Sequence, residues 1–132
     1  QGVHADDPVL LLGRANALIA IGRHADALPL VERLAQDADH GRSPAAALAR
    51  GRVYEALGRN SEAEAAYNFA AGRMPGLEGL ARYAAFMALT GRMAEAKESL
   101  AEIDKRLAKT NAAFLKEGRA WRELAAAAIN RG

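Results

Sequence analysis

Small apolar residues recur along the chain at the spacing of one face of an α-helix. Before Gly22, for example, Leu11, Ala15 and Leu18 fall at positions i, i+4 and i+7, the periodicity of an amphipathic helix. The same spacing returns on both sides of two later glycines, Gly58 and Gly91. We therefore predict an all-α fold. The predicted helices are 8–21, 24–38, 43–57, 60–73, 77–90, 93–109 and 111–129.

A six-residue string recurs three times and divides the helices into pairs. It reads Gly-Arg-x-small-acid-Ala and occupies Gly22–Ala27, Gly58–Ala63 and Gly91–Ala96, so its copies start 36 and 33 residues apart. The glycine can adopt the left-handed backbone that ends a helix. The acid then lies in the first turn of the next helix, where the helix dipole favours negative charge. The period indicates helix–turn–helix repeats at about 8–41, 43–75 and 77–109.

Capping signals mark where several helices begin. Asp7 and Ser43 each precede a proline, the arrangement typical of an N-cap followed by the first helical residue. Thr110 or Asn111 can cap the last helix, which has no partner and is predicted to cover the end of a stack over 111–129. Its apolar stripe is Phe114, Gly118, Trp121, Ala125 and Ala128.

Composition narrows the function classes without naming one. The net charge of +2 is too small to indicate nucleic acid, and the 14 arginines alternate with acids, which favours a salt-bridged surface. Cysteine is absent, so disulfides and thiolate metal sites are excluded. We expect one domain over 1–132, a segment of a longer protein since it begins with Gln1, and a cytoplasmic location by default. A segment upstream of this one could tether the parent protein to a membrane.

The second unit carries a register of small and aromatic residues that ends in a proline: Gly51, Tyr54, Gly58, Ala63, Tyr67, Ala70 and Pro75. This pattern resembles the tetratricopeptide repeat (TPR). The other two units keep the glycine and alanine, lack the proline, and replace the aromatics by Leu18, Val31, Met87 and Leu100. Shorter runs resemble a divergent bacterial group of such proteins: Ala5–Pro8, Arg42–Pro44, Arg82–Ala84 and Arg119–Trp121. The resemblance implies a right-handed α-α solenoid of about three TPR-like helix pairs plus a C-terminal capping helix.

The resemblance also implies a function, because helices that precede each glycine line a peptide-binding concave face in this family. We therefore expect a protein–protein interaction scaffold that binds a peptide or partner helix. The positions implied are Leu12, Asn16, Ile19, Leu48, Arg52, Glu55, Arg82 and Ala85. In the alternative interpretation, Leu12, Ile19 and Leu48 only pack against neighbouring helices.

Two other functions stay open, and catalysis is not expected. One is self-association through the N-terminal edge at Val9 and Leu10; the other is binding of nucleic acid or a membrane surface. That second alternative would use Arg50, Arg52, Arg59, Arg82 and Arg92. No metalloprotease, phosphate-loop or serine-hydrolase motif is present. The histidines His4, His24 and His40 lack the spacing of a metal site, so we predict no enzyme activity, cofactor or metal.

Overall fold

Seven α-helices make up most of residues 7–37 and 39–131, the part of the chain that the computed structural model describes. They are α1 Pro8–Ala20, α2 His24–Ala35, α3 Pro44–Ala56, α4 Asn60–Arg73, α5 Glu78–Leu89, α6 Met93–Leu107 and α7 Ala112–Arg131. No strand occurs in that part. The all-α prediction is confirmed, and the predicted helices correspond one to one with α1–α7. The second helix ends at Ala35, earlier than the predicted residue 38, which, like His4 and Ala5–Asp6, lies outside the described residues.

Side chains just outside α1 and α3 satisfy the first free amides of these helices. The Asp7 carboxylate accepts a hydrogen bond from the Val9 amide at 2.9 Å, and the Ser43 hydroxyl accepts one from Ala46 at 3.1 Å. A proline follows each cap at the first helical position, where its missing N–H costs least. Both predicted caps are confirmed.

The three repeated glycines end α1, α3 and α5 in the same way. Their φ angles are +81° at Gly22, +78° at Gly58 and +88° at Gly91, a region that residues with a Cβ enter at a cost. In each case the amide of the next arginine donates to the carbonyl five residues earlier at 2.8 Å, as in a Schellman motif. The predicted role of these glycines is confirmed.

An ion pair follows each of these glycines, in addition to the predicted contact of the acid with the helix dipole. The arginine next to the glycine donates from Nε to the acid three residues later. The pairs are Arg23–Asp26 at 2.7 Å, Arg59–Glu62 at 2.7 Å and Arg92–Glu95 at 2.8 Å. The acid in the first turn therefore interacts with an arginine as well as with the helix dipole.

The chain divides within α4 into two compact units, the first ending at Ala70 and the second beginning at Ala71. In the first unit, α1 contacts both α2 and α3, and α2 contacts α3. Small side chains allow this close packing, because alanines alternate with larger aliphatic residues in the core. One buried cluster contains Ala15, Ile19, Ala27, Val31, Ala49 and Val53.

A glycine sets the packing of α4 on α3 within the first unit. The Tyr67 ring from α4 lies directly over Gly51 of α3, so that a Cβ at Gly51 would be 2.9 Å from two ring carbons. Tyr67 is only 2% exposed, and its hydroxyl donates to the Glu55 carboxylate at 2.7 Å. The absence of a side chain at Gly51 thus makes room for the ring.

The second unit repeats the contact pattern of the first. Helix α5 contacts α6 and α7, and α6 contacts α7. Trp121 packs, partly buried, against a core of Ala81, Ala84, Ile103 and Ala125. Of the two predicted caps of α7, Asn111 is the one used: its side-chain oxygen accepts a hydrogen bond from the Ala113 amide at 2.9 Å.

The predicted stripe of α7 places Phe114 on the same side of the helix as Gly118 and Trp121, and all three line one cavity, but its first residue is not buried. Phe114 is 65% exposed, whereas Gly118, Ala125 and Ala128 are buried. Phe114 lies in the first turn of α7 at the rim of a cavity that it shares with Trp121, so the core does not cover it.

Candidate partner-binding surfaces

Six of the eight predicted groove residues lie in the first unit. Two of them, Leu12 and Asn16 of α1, line a cavity of about 280 Å³ together with Val9 and His40. Asn16 is exposed, whereas Leu12 is partly buried and packs against the cores on either side of it. This cavity offers apolar contact with one amide side chain at its edge.

Ile19 and Leu48 are core residues of the first unit. Their exposed fractions are 3% and 6%, and Ile19 packs in the cluster that contains Ala15 and Val31. Such side chains contribute through apolar burial. Their positions favour the packing interpretation for these two residues.

Arg52 and Glu55 are half-buried residues of α3. Glu55 accepts the hydrogen bond from the Tyr67 hydroxyl and so ties α3 to α4. Its carboxylate therefore has a structural role. Arg52 lies one helical turn before it and is the only cation among the predicted groove residues of this unit.

The other two predicted groove residues lie in the second unit. Arg82 of α5 pairs with Glu78 one turn earlier, Nε to Oε2 2.9 Å. Its guanidinium also lies over the Trp121 ring, 5.1 Å from the centroid, in a cation–π contact. Ala85 is partly buried and packs against the cluster that includes Met87.

The arginines proposed to bind an anionic partner are mostly engaged within the protein. Arg59, Arg82 and Arg92 form ion pairs with acids. Arg50 instead donates to the Gly41 carbonyl at 2.9 Å, and burial lowers the pKa of its guanidinium. These pairings favour the salt-bridged surface over a strip that binds phosphates.

A cluster around Tyr54 joins α2, α3 and the turn before α4. The Tyr54 hydroxyl donates to Glu32 at 3.4 Å, and the Arg59 guanidinium lies 5.1 Å from the ring centroid and 3.7 Å from Glu32. Burial, assisted by the Glu32 charge, raises the pKa of Tyr54. The hydroxyl therefore stays protonated at neutral pH and serves as a hydrogen-bond donor.

Histidines and acids do not assemble into a metal centre in the described part of the chain. His24 begins α2. His40 has its Nδ1 3.2 Å from the Asp37 carboxylate, which also accepts backbone amides from Asp39 and His40. The His40 amide is the main cause that lowers the pKa of Asp37. The amides of this turn therefore stabilise the ionised form of the Asp37 carboxylate.

A cavity in the second unit was not anticipated from the sequence. It measures about 420 Å³ and is lined by the segment before α5, the end of α6 and the first half of α7. Its apolar walls include Leu77, Phe114 and Trp121, and its charged residues are Arg106 and Glu117. The only hint in the sequence was Phe114, an aromatic residue at the start of the α7 stripe. No local pattern indicated that the segment before α5, the end of α6 and the first half of α7 meet.

Comparisons with protein-family models, with curated proteins and with solved structures gave no match. Among the helices of residues 7–37 and 39–131, none is long and apolar enough to cross a membrane.

Proposed function

We propose that the chain is a protein–protein interaction scaffold, a right-handed α-α solenoid of three TPR-like helix pairs and a capping helix. The observation that carries this proposal is the recurrence of one local structure at three places. Gly22, Gly58 and Gly91 share a positive φ, the same backbone hydrogen bond follows each, and the same arginine–acid pair begins the next helix. Repeated local structure is the basis of a solenoid.

The contacts within each unit also support the proposal. In both units the first helix of a pair contacts its partner and the helix after that partner: α1 contacts α2 and α3, and α5 contacts α6 and α7. That is the packing expected when successive helix pairs stack side by side. The capping helix α7 takes the place in the second unit that α3 takes in the first.

In this proposal the partner binds along α1 and α3 of the first unit. The exposed amide of Asn16 and the guanidinium of Arg52 are the polar groups suited to hydrogen-bond an extended segment or a helix. Apolar contact comes from Leu12, while Ile19 and Leu48 support the surface from within the core. No catalytic step is part of this function.

Photocrosslinking tests the binding surface with a matched control. A benzoylphenylalanine placed at Asn16 of α1 or at Asn68 of α4 replaces the same residue type, exposed in both places. Capture of a partner in the full-length parent protein should occur from position 16 and not from position 68. Arg52→Ala should then weaken binding of that partner, with an unchanged helical signal and melting temperature as the check on folding.

Equal capture from both asparagines, or capture from position 68 alone, would contradict the proposed surface. Unchanged affinity of the Arg52→Ala variant would remove Arg52 from it.

Self-association is a second candidate function, favoured by one observation at the N-terminal edge. Val9 is 72% exposed and lines the cavity beside Leu12, so an apolar edge is accessible there. Sedimentation velocity distinguishes the two functions. A dimer that Val9→Glu converts to a monomer would support self-association, and a monomeric wild type at high concentration would exclude it.

A further inference from the structure

The cavity of the second unit has the lining of a ligand site. Its walls combine Leu77, the exposed ring of Phe114, the indole of Trp121 and the backbone at Gly118. Its volume of about 420 Å³ falls within the range of about 300–1,000 Å³ that is usual for small-molecule sites. The cavity therefore has room for an apolar body of the size of a substituted benzene.

Of the two charged residues at the cavity, Arg106 has an ion-pair partner among the described residues and Glu117 does not. Arg106 is neutralised by Glu102, Nε to Oε2 2.9 Å, and this bond from Arg106 lowers the pKa of Glu102. Glu117 takes part in none of the ion pairs found among the described residues. Lys105 and Lys109 lie near Glu102 and do not line the cavity.

The helical neighbours of Glu117 leave its charge uncompensated as well. Residues three and four positions away on α7 share its face, and all four are uncharged: Ala113, Phe114, Ala120 and Trp121. Within the described part of the chain, the carboxylate at this cavity therefore lacks a cationic partner.

Two aromatic rings beside such a carboxylate form a site suited to a cation. Aromatic faces attract ammonium and guanidinium groups, and tryptophan does so most strongly. The Arg82 guanidinium already lies 5.1 Å from the centroid of the Trp121 ring. Arg82 does not line the cavity, so that contact does not fill it.

We propose that this cavity binds a small organic cation with an apolar body, such as an arylalkylammonium ion. The apolar body packs against Leu77, Phe114 and Trp121, and the ammonium group pairs with Glu117. The site shares no residue with the proposed partner-binding surface, and its test needs no partner. Failure of one proposal is therefore distinguishable from failure of the other.

Trp121 reports on the site directly, because it is the only tryptophan in the chain. Its fluorescence is titrated with three probes that carry the same phenyl group: phenethylammonium, 2-phenylethanol and 3-phenylpropionate. We expect saturable binding of the ammonium ion with a dissociation constant on the order of 1 mM, as suits so small a ligand. Binding of the alcohol should be about fivefold weaker, and binding of the carboxylate at least about tenfold weaker.

Amide chemical shifts locate the bound probe. Phenethylammonium should shift the signals of Gly76 and Gly118, which line the cavity, and leave that of Gly13 in the first unit unchanged.

Matched variants separate the charge from the apolar walls. Glu117→Gln should weaken phenethylammonium binding about fivefold and leave 2-phenylethanol binding unchanged. Glu123→Gln, an exposed control on the same helix outside the cavity, should leave both unchanged. Phe114→Ala should weaken the binding of both probes. Because Phe114 is exposed, its removal should not prevent folding.

Three results would overturn the proposal. The first is no saturable response to phenethylammonium. The second is binding of 3-phenylpropionate as tight as that of the ammonium ion, which would assign the cavity to anions through Arg106. The third is unchanged ammonium affinity in Glu117→Gln, which would leave only an apolar cavity.

Discussion

The contact between Gly51 and Tyr67 makes a sharp prediction about the packing of α4 on α3. In Gly51→Ala, the new Cβ would lie 2.9 Å from two carbons of the Tyr67 ring and 3.1 Å from a third. The ring is rigid and almost fully buried, and its hydroxyl is bound to Glu55. It cannot move aside as the end of a flexible side chain could.

Two opposing effects set the magnitude for this substitution. Alanine gains about 1 kcal/mol over glycine inside a helix. Overpacking costs about 1–3 kcal/mol, and displacement of the Tyr67 ring would weaken its hydrogen bond by about 1 kcal/mol more. We therefore expect Gly51→Ala to lower the free energy of unfolding by about 1–3 kcal/mol.

Gly13 provides the matched control, because it also lies inside a helix but is exposed, and a Cβ added there would meet open space. Gly13→Ala should raise the free energy of unfolding by about 0.4–1 kcal/mol. The same chemical change thus has opposite signs at the two positions, and only the packing differs.

Urea unfolding followed by circular dichroism measures both effects, with an unchanged dependence on urea as the check that folding remains two-state. The Tyr67→Leu background provides a second check, since the cost of Gly51→Ala should largely disappear there. A Gly51→Ala variant at least as stable as the wild type would refute the described contact between α3 and α4.

Three further predictions concern single contacts. Gly58→Ala should cost about 1–2 kcal/mol in urea unfolding because φ is +78°, and Gly58→Asn should cost less; equal stability of Gly58→Ala would contradict the left-handed turn. Tyr67→Phe should cost about 1–3 kcal/mol by removing the bond to Glu55; no loss in the same assay would mean that this bond contributes nothing. The hydrogen bond from Arg92 lowers the pKa of Glu95, so its stabilisation is present above the unfolded-state pKa of about 4.3 and is lost as the pH falls through the lower folded-state pKa. Glu95→Gln should reduce the pH dependence of the melting temperature across that window. A variant with the same pH dependence as the wild type would refute the contribution of this ion pair.

The local parts of the fold could be predicted from the sequence because their causes lie within a few residues. A cap such as Ser43 bonds an amide three residues away, and the turn at Gly22 closes through the carbonyl of Leu18. Helical periodicity likewise depends on neighbours one turn apart. Helix number and order, the starts of the capped helices and the class of fold were therefore accessible without coordinates.

Contacts between helices depended on the tertiary structure. Side-chain spacing gives the face of a helix but not its rotation and crossing angle against a neighbour. For Ile19 and Leu48 the spacing left both a binding face and core packing open, and both residues are buried. Phe114 lies on the predicted stripe of α7 but is exposed. Periodicity alone does not say which residues of a helical face the neighbouring helices cover.

The cavity beside Trp121 illustrates the same division. The sequence by itself determined that α7 is a helix with Phe114 and Trp121 on one stripe, because that follows from residue spacing. Only the tertiary structure decided that Leu77, from a segment far along the chain, closes the cavity beside Glu117. Such a site forms where distant segments pack together, and no short-range pattern encodes their meeting.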